Sequence, residues 1–245
     1  MIGIDKSSGM GLAHELSNIS KRMDKFFEEL TTGQKINQAS DDPAGLVVSE
    51  KLRAQISGYL KELSNIQDEI SRIQTFEGTA SSVQDAVGRI HELAVQASNG
   101  TLTSDDRASI QTEINSLNEF ITDTSKTKFN EKPIAQNLAP QAIGTAGIDV
   151  VADPTSAIES ANQASAEVAS LRAQAGADVN AMEGRVNNLA VAAQNTMAAE
   201  SQIRDADYAE SMMNLLQEQI KDKIGVAMLA QFNVQQASIL KLLEP

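Results

Sequence analysis

Apolar residues recur along this chain at steps of three and four, the spacing of a helix that buries one face. The first run carries Leu12, Leu16, Ile19, Met23, Phe26 and Leu30 and stops at Thr31-Thr32-Gly33. A short irregular stretch, Gln34 to Asp42, follows. Asp42-Pro43 then reads as an N-cap with proline at the first helical position, where its missing N–H costs nothing. The next run, Leu52, Ile56, Tyr59, Leu63, Ile66, Ile70 and Ile73, alternates steps of four and three as a coiled-coil seam does. Its register is expected to slip near Glu77-Gly78 and to resume with Val83, Val87, Ile90, Ala94 and Ala97.

Asn99-Gly100 ends that helix, and Thr103-Ser104-Asp105-Asp106 caps a third, with Ile110, Ile114, Leu117 and Ile121 inward. The third must fold back antiparallel on the second. Between Phe129 and Thr155 the texture changes, with Pro133, Pro140, Gly144, Gly147 and Pro154 as breakers. This loop has room for one short β-hairpin, and Ile148-Asp149-Val150-Val151 is its strand candidate. Asp153-Pro154 opens the last helical region. Val168, Leu171 and Ala175 form one seam there, and Val179, Met182, Val186, Leu189 and Ala193 another. Beyond Lys223 the chain is apolar on nearly every side, so that helix must be buried by the N-terminal segment or by another copy. The fold class expected is all-α: a long antiparallel helical bundle with paired terminal helices.

Composition narrows the function. The 245 residues hold 33 acidic against 20 basic side chains, for a net charge of −13, with no Cys, no Trp and few aromatics. An acidic chain without basic blocks argues against nucleic-acid binding. No run approaches a membrane span. Zero Cys removes disulfides, thiolate metal sites and thiol nucleophiles. The N-terminus lacks a basic segment followed by an apolar one, so a cleaved export signal is not expected.

Candidate chemistry is equally thin. His14-Glu15 and His91-Glu92 look like halves of a zinc-protease helix, but Asn18 and Val95 stand where the second His is needed. Asp41-Asp42 and Asp105-Asp106 lack the spaced oxygen ligands of a calcium loop and read as helix caps. Gly3, Gly9 and Gly11 follow no strand and open no phosphate loop. No cofactor, metal or catalytic residue is expected. What remains is interaction: neither terminal segment is expected to hold a stable helix alone in water.

Four stretches carry a family resemblance. Leu30-Thr-Thr-Gly-Gln-Lys-Ile-Asn-Gln-Ala-Ser-Asp-Asp-Pro-Ala-Gly-Leu46 resembles a signature of bacterial flagellin, and Ile90-His-Glu-Leu-Ala-Val-Gln-Ala-Ser-Asn-Gly100 resembles a second. Ile203-Arg-Asp-Ala-Asp-Tyr-Ala209 and Ala227-Met-Leu-Ala-Gln231 resemble the C-terminal one. Met1 to Gly11, Phe232-Asn233-Val234 and Glu244-Pro245 depart from the family pattern.

The resemblance implies a terminal inner-tube domain, 1–42 with 206–245, and a helical-bundle core domain, 43–205. The interval 131–155 leaves no room for a variable outer domain, so the form is minimal. It implies a secreted structural subunit that self-assembles into the extracellular filament used for motility, after type III export. A hook–filament junction protein of the same superfamily is the alternative, and an enzyme built on the scaffold a third class. Implied partners are other copies, cap and junction proteins, an export chaperone, the export apparatus and the animal innate flagellin receptor. Inner-tube packing is assigned to Leu16, Ile19, Met23, Phe26, Leu30, Leu216, Ile220, Ile224, Met228 and Leu229, with an intramolecular helix pair as the alternative. Arg89, Leu93 and Glu113 match positions the receptor contacts, while His91 replaces the usual second Arg.

Overall fold

The computed structural model describes residues 3–243, so Met1, Ile2, Glu244 and Pro245 lie outside the described residues. Six helices carry the fold: α1 (Gly3–Thr32), α2 (Pro43–Ala97), α3 (Ser104–Thr124), the single turn α4 (Pro140–Ile143), α5 (Pro154–Arg204) and α6 (Tyr208–Leu243). The chain divides into two compact units, 59–192 and the paired ends 1–58 with 193–245.

Unit 59–192 is built on the buried faces of α2, α3 and α5. Val83, Val87, Ile90, Leu93, Ala94 and Ala97 of α2 meet Ile114 and Ile121 of α3, and Ala157, Ala161, Ala164 and Val168 of α5. Alanine and valine at these positions let the helices approach closely, which is why the core needs so few aromatics. Helices α2 and α5 run antiparallel. Gln84 Nε2 donates to Ser165 Oγ (2.7 Å), Arg172 pairs with Glu77 (2.7 Å) and Arg185 with Glu62 (3.0 Å). The slip expected near Glu77-Gly78 is a single shortened step. Ile70, Ile73 and Phe76 follow at three-residue intervals, Ala80 restores the beat, and exposed Gly78 lies off the seam.

Helix starts follow the acidic caps. Asp42 Oδ1 accepts from the Ala44 and Gly45 N–H groups (3.1 and 2.9 Å), and Asp153 Oδ1 from Thr155 and Ser156 (3.0 and 3.3 Å). Thr103 and Asp106 form a reciprocal capping box at α3. The two bonds from Thr103, side chain then backbone, hold the Asp106 carboxyl below its usual range.

The strand expected at Ile148–Val151 is not one. The sheet is instead a two-residue hairpin, β1 (Lys128–Phe129) against β2 (Lys132–Pro133), turning through Asn130 and Glu131 at φ 49° and 63°. Ile148 and Val150 do alternate inward, but their partner is a side chain. Gln111 Nε2 donates to Ile148 O (2.9 Å) and Gln111 Oε1 accepts from Val150 N (2.9 Å). Asp149 Oδ1 takes the Val151 and Ala152 N–H groups (2.9 and 3.1 Å), which curls the segment into a turn and denies it a ladder.

Candidate assembly surface

Helices α1 and α6 pair antiparallel in the unit of the chain ends. Arg22 meets Glu218, Glu29 meets Ser211, and Tyr208 Oη donates to Leu30 O (3.0 Å). On α1 the apolar pattern does pick out inward residues: Ile19 is buried, and Leu16, Met23, Phe26 and Leu30 are half-buried, with polar Glu29 buried beside them. On α6 it does not. Its inward seam is Ser211, Leu215, Glu218, Asp222, Gly225 and Leu229, a strict heptad written largely in polar and small residues.

Three of these seam residues, Glu218, Ser211 and Gly225, meet α1 directly. Glu218 is buried and accepts from Lys221 Nζ (2.8 Å) and Arg22 Nη2 (3.0 Å). These bonds, that of Lys221 foremost, hold its carboxyl below the usual glutamate range. Ser211 Oγ donates to buried Glu29 (3.1 Å). Gly225 lets the backbones close in, because a Cβ there would sit 2.7 Å from Leu16 Cδ2.

This seam turns the most apolar face of α6 outward. Met213 is 69% exposed, Leu216 51%, Ile220 59%, Ile224 55% and Met228 59%. With Met212 they form a stripe repeating at three or four residues along about four turns of one helix face. Such contiguous exposed apolar surface is rare on a monomer and marks a binding face. The ten residues assigned to packing therefore divide: Leu16, Ile19, Met23, Phe26, Leu30 and Leu229 face the α1–α6 seam, while Leu216, Ile220, Ile224 and Met228 face away from it. Sequence reading missed Glu218, Ser211 and Gly225. Their heptad spacing was available, but hydropathy hid it, since a stronger apolar period ran beside it.

Two of the signatures meet one another at the base of this pair. Gly33, at φ +71°, ends α1, and its carbonyl accepts from Ala206 N (2.9 Å), while Lys35 N donates to Arg204 O (2.7 Å). Arg204 spans the joint, donating to Gln34 Oε1 (3.0 Å) and Glu50 Oε1 (2.8 Å). Asp41 Oδ2 accepts from the Asn37 and Gln38 N–H groups and pairs with Lys25, which together keep its carboxyl low, the Gln38 bond contributing most. A Cβ on Gly45 would clash with Asp42 Oδ2 and meet buried Ile36 at 2.8 Å. The L-T-T-G and D-D-P-A-G motifs are thus a folded joint in which a positive φ dictates Gly33 and crowding by the Asp42 and Ile36 side chains dictates Gly45.

In unit 59–192, Arg89 bridges the partly exposed Glu113 (2.9 Å) and Glu92 (3.1 Å), and Leu93 is buried in the helical core. Asn18, standing where a zinc helix needs histidine, donates its amide to His14 Nδ1 (3.1 Å). Among the described residues no cluster of His, Cys, Asp and Glu is arranged to hold a metal, and no helix is long and apolar enough to cross a membrane.

The comparisons agree with this architecture. Residues 7–138 match the bacterial flagellin N-terminal helical region, and residues 158–243 match the bacterial flagellin C-terminal helical region. The interval between them holds only α4, turns and the first turn of α5. A flagellin of Halalkalibacterium halodurans is 36% identical over 89% of this chain and 91% of its own length. A flagellar filament 31.3 kDa core protein of Treponema maltophilum is 35% identical over 90% and 92%. A flagellin of Bacillus subtilis is 32% identical over 96% and 97%. Two helical regions matched in order at either end of the chain, with no outer domain between them, make this chain a member of the bacterial flagellin family.

Proposed function

We propose that the chain is a structural subunit of the bacterial flagellar filament, built by helical stacking of copies outside the cell, and not an enzyme. The observation that carries this reading is the outward apolar stripe Leu216, Ile220, Ile224 and Met228 on α6. Burying such side chains stabilises by about 1.5–3 kcal/mol each. A surface that gains this only on association, repeated identically on every copy, suits an open heterologous polymer.

The mechanism is coupled folding and association. The terminal domain, 1–42 with 206–245, orders as neighbouring copies cover its α6 stripe, and the bundle domain, 43–205, carries the outer wall of a thin, smooth filament. Leu16, Ile19, Met23, Phe26, Leu30 and Leu229 set the pair, and the four stripe residues join it to its neighbours. Type III export of the subunit, an export chaperone, cap and junction proteins at the filament ends and the innate flagellin receptor complete the set of partners. For the receptor, Arg89 and Glu113 are the accessible contacts, with Leu93 supporting them from the core.

Electron microscopy and sedimentation of purified protein after seeding or salting-out test the reading. The full chain is expected to form long filaments, and a variant lacking 1–40 and 206–245 is expected to stay monomeric. Filaments from the truncated chain alone would overturn it.

A further inference from the structure

We infer that Asn99 is the chain's site of spontaneous deamidation, a covalent ageing mark in the turn between α2 and α3. Asn99-Gly100 is the one place in the sequence where asparagine precedes glycine. Both residues are exposed, in the short turn after Ala97, and a Cβ placed on Gly100 would meet nothing within 4 Å. The reaction needs the backbone nitrogen of the following residue to reach the asparagine side-chain carbon. Glycine permits this because no side chain crowds the approach and its backbone reaches conformations that other residues avoid.

The local hydrogen bonds favour the same step. The Gly100 N–H makes no hydrogen bond in the turn, whereas the neighbouring Asn99 and Leu102 N–H groups are engaged with Gln96 O and Asn99 O. The nucleophile is free. The electrophile is engaged: Asn99 Oδ1 accepts from Thr101 N (3.1 Å) and Thr101 Oγ1 (2.9 Å). This Asx turn folds the side chain forward over the Gly100 peptide. The two donors also polarise the amide carbonyl and stabilise the oxyanion that forms on attack.

The atoms balance with water as the only co-reactant. The Gly100 nitrogen, having lost its proton to hydroxide, bonds to Asn99 Cγ. The Cγ–Nδ2 bond breaks and nitrogen leaves as ammonia, taking up protons from the solvent. The resulting five-membered succinimide is opened by water at either carbonyl, giving aspartate or isoaspartate. Either product places a new carboxylate beside the C-terminal end of α2, where the helix dipole disfavours negative charge. Isoaspartate also inserts a methylene into the main chain at the point where α3 is turned back. Exposed asparagine elsewhere lacks the combination. Asn130 also lies in a tight turn at positive φ, but Glu131 follows it.

Incubating the full-length protein in mildly alkaline oxygen-18 water, followed by peptide mass spectrometry, tests the inference. Asn99 is expected to gain one labelled oxygen and lose ammonia about ten times faster than Asn130, as the glycine's unhindered backbone predicts. Isoaspartyl methyltransferase is expected to label the peptide containing residue 99. Gly100→Ala should slow modification to the Asn130 rate. Thr101→Val, which keeps the glycine but removes the hydroxyl donor, should slow it less. An intact Asn99 in the folded protein, alongside conversion of the same peptide in denaturant, would overturn the inference, as would an unchanged rate in Gly100→Ala. Filament formation is not the readout, so the result stands independently of the assembly reading.

Discussion

The two units use the same helical period and place their apolar residues oppositely. In unit 59–192 the heptad positions of α2, α3 and α5 are Val, Ile, Leu and Ala, and all turn inward. In the α1–α6 pair, α1 obeys the same rule except at buried Glu29, but α6 gives its seam to Ser211, Glu218, Asp222 and Gly225 and leaves Ile220 and Ile224 in solvent. The bundle satisfies its own hydrophobic faces. The pair spends charge and a glycine to keep its face unsatisfied. Polar contacts in a seam, charged or hydrogen-bonded, are weak sources of stability and well suited to fixing register. Glu218 with Arg22, and Glu29 with Ser211, select the rotation of α6 that presents the stripe outward.

The strongest way to break the comparison is to make the outward face polar. Ile220→Ser with Ile224→Ser should remove roughly 3–6 kcal/mol of intersubunit burial. That raises the critical concentration for filaments about a hundredfold or more. Sedimentation reads this, and the thermal melt of the unassembled chain should hardly move. A comparable loss in the monomer melt would mean that the stripe is internal after all. In the bundle the expectation reverses. Ile114→Ala empties a fully buried site and should cost about 2–5 kcal/mol in urea unfolding, with assembly affected only through the lost fold.

A third measurement sharpens the role of the polar seam. The folded-state pKa of Glu218 is depressed. Its contribution is therefore complete above the ordinary glutamate range and fades as pH falls through the depressed value. Acid should loosen the α1–α6 pair, seen as loss of helical circular dichroism. Glu218→Gln should flatten that acid limb and cost about 1–2 kcal/mol at neutral pH. The smallest effect concerns capping, where Thr103→Ala should lower bundle stability by about 1 kcal/mol and leave assembly unchanged.

Most helices were legible because periodicity and caps agree: Asp42-Pro43, Thr103 with Asp106, and Asp153-Pro154 each start a helix as read. Two features were hidden for identifiable reasons. Ile148–Val151 alternates as a strand does, but Gln111 supplies the hydrogen bonds a neighbouring strand would have given, and side-chain mimicry leaves no mark on hydropathy. On α6 two periods overlap, and the apolar one is the louder. The four stripe residues were therefore assigned to inner-tube packing together with the α1 seam, while the polar seam that orients α6 was not seen. The Arg204 joint was visible only as motif, since its contacts link residues about 170 positions apart in sequence.

The exposed stripe also has a calorimetric consequence. Covering apolar surface lowers heat capacity, so an association driven by that surface weakens on cooling. The polar α1–α6 seam draws less on this driving force than the stripe does. Chilling should therefore pull subunits apart and, because the terminal helices order only against their neighbours, unwind the paired ends in the same step, while the helical bundle, whose core is internal, stays folded.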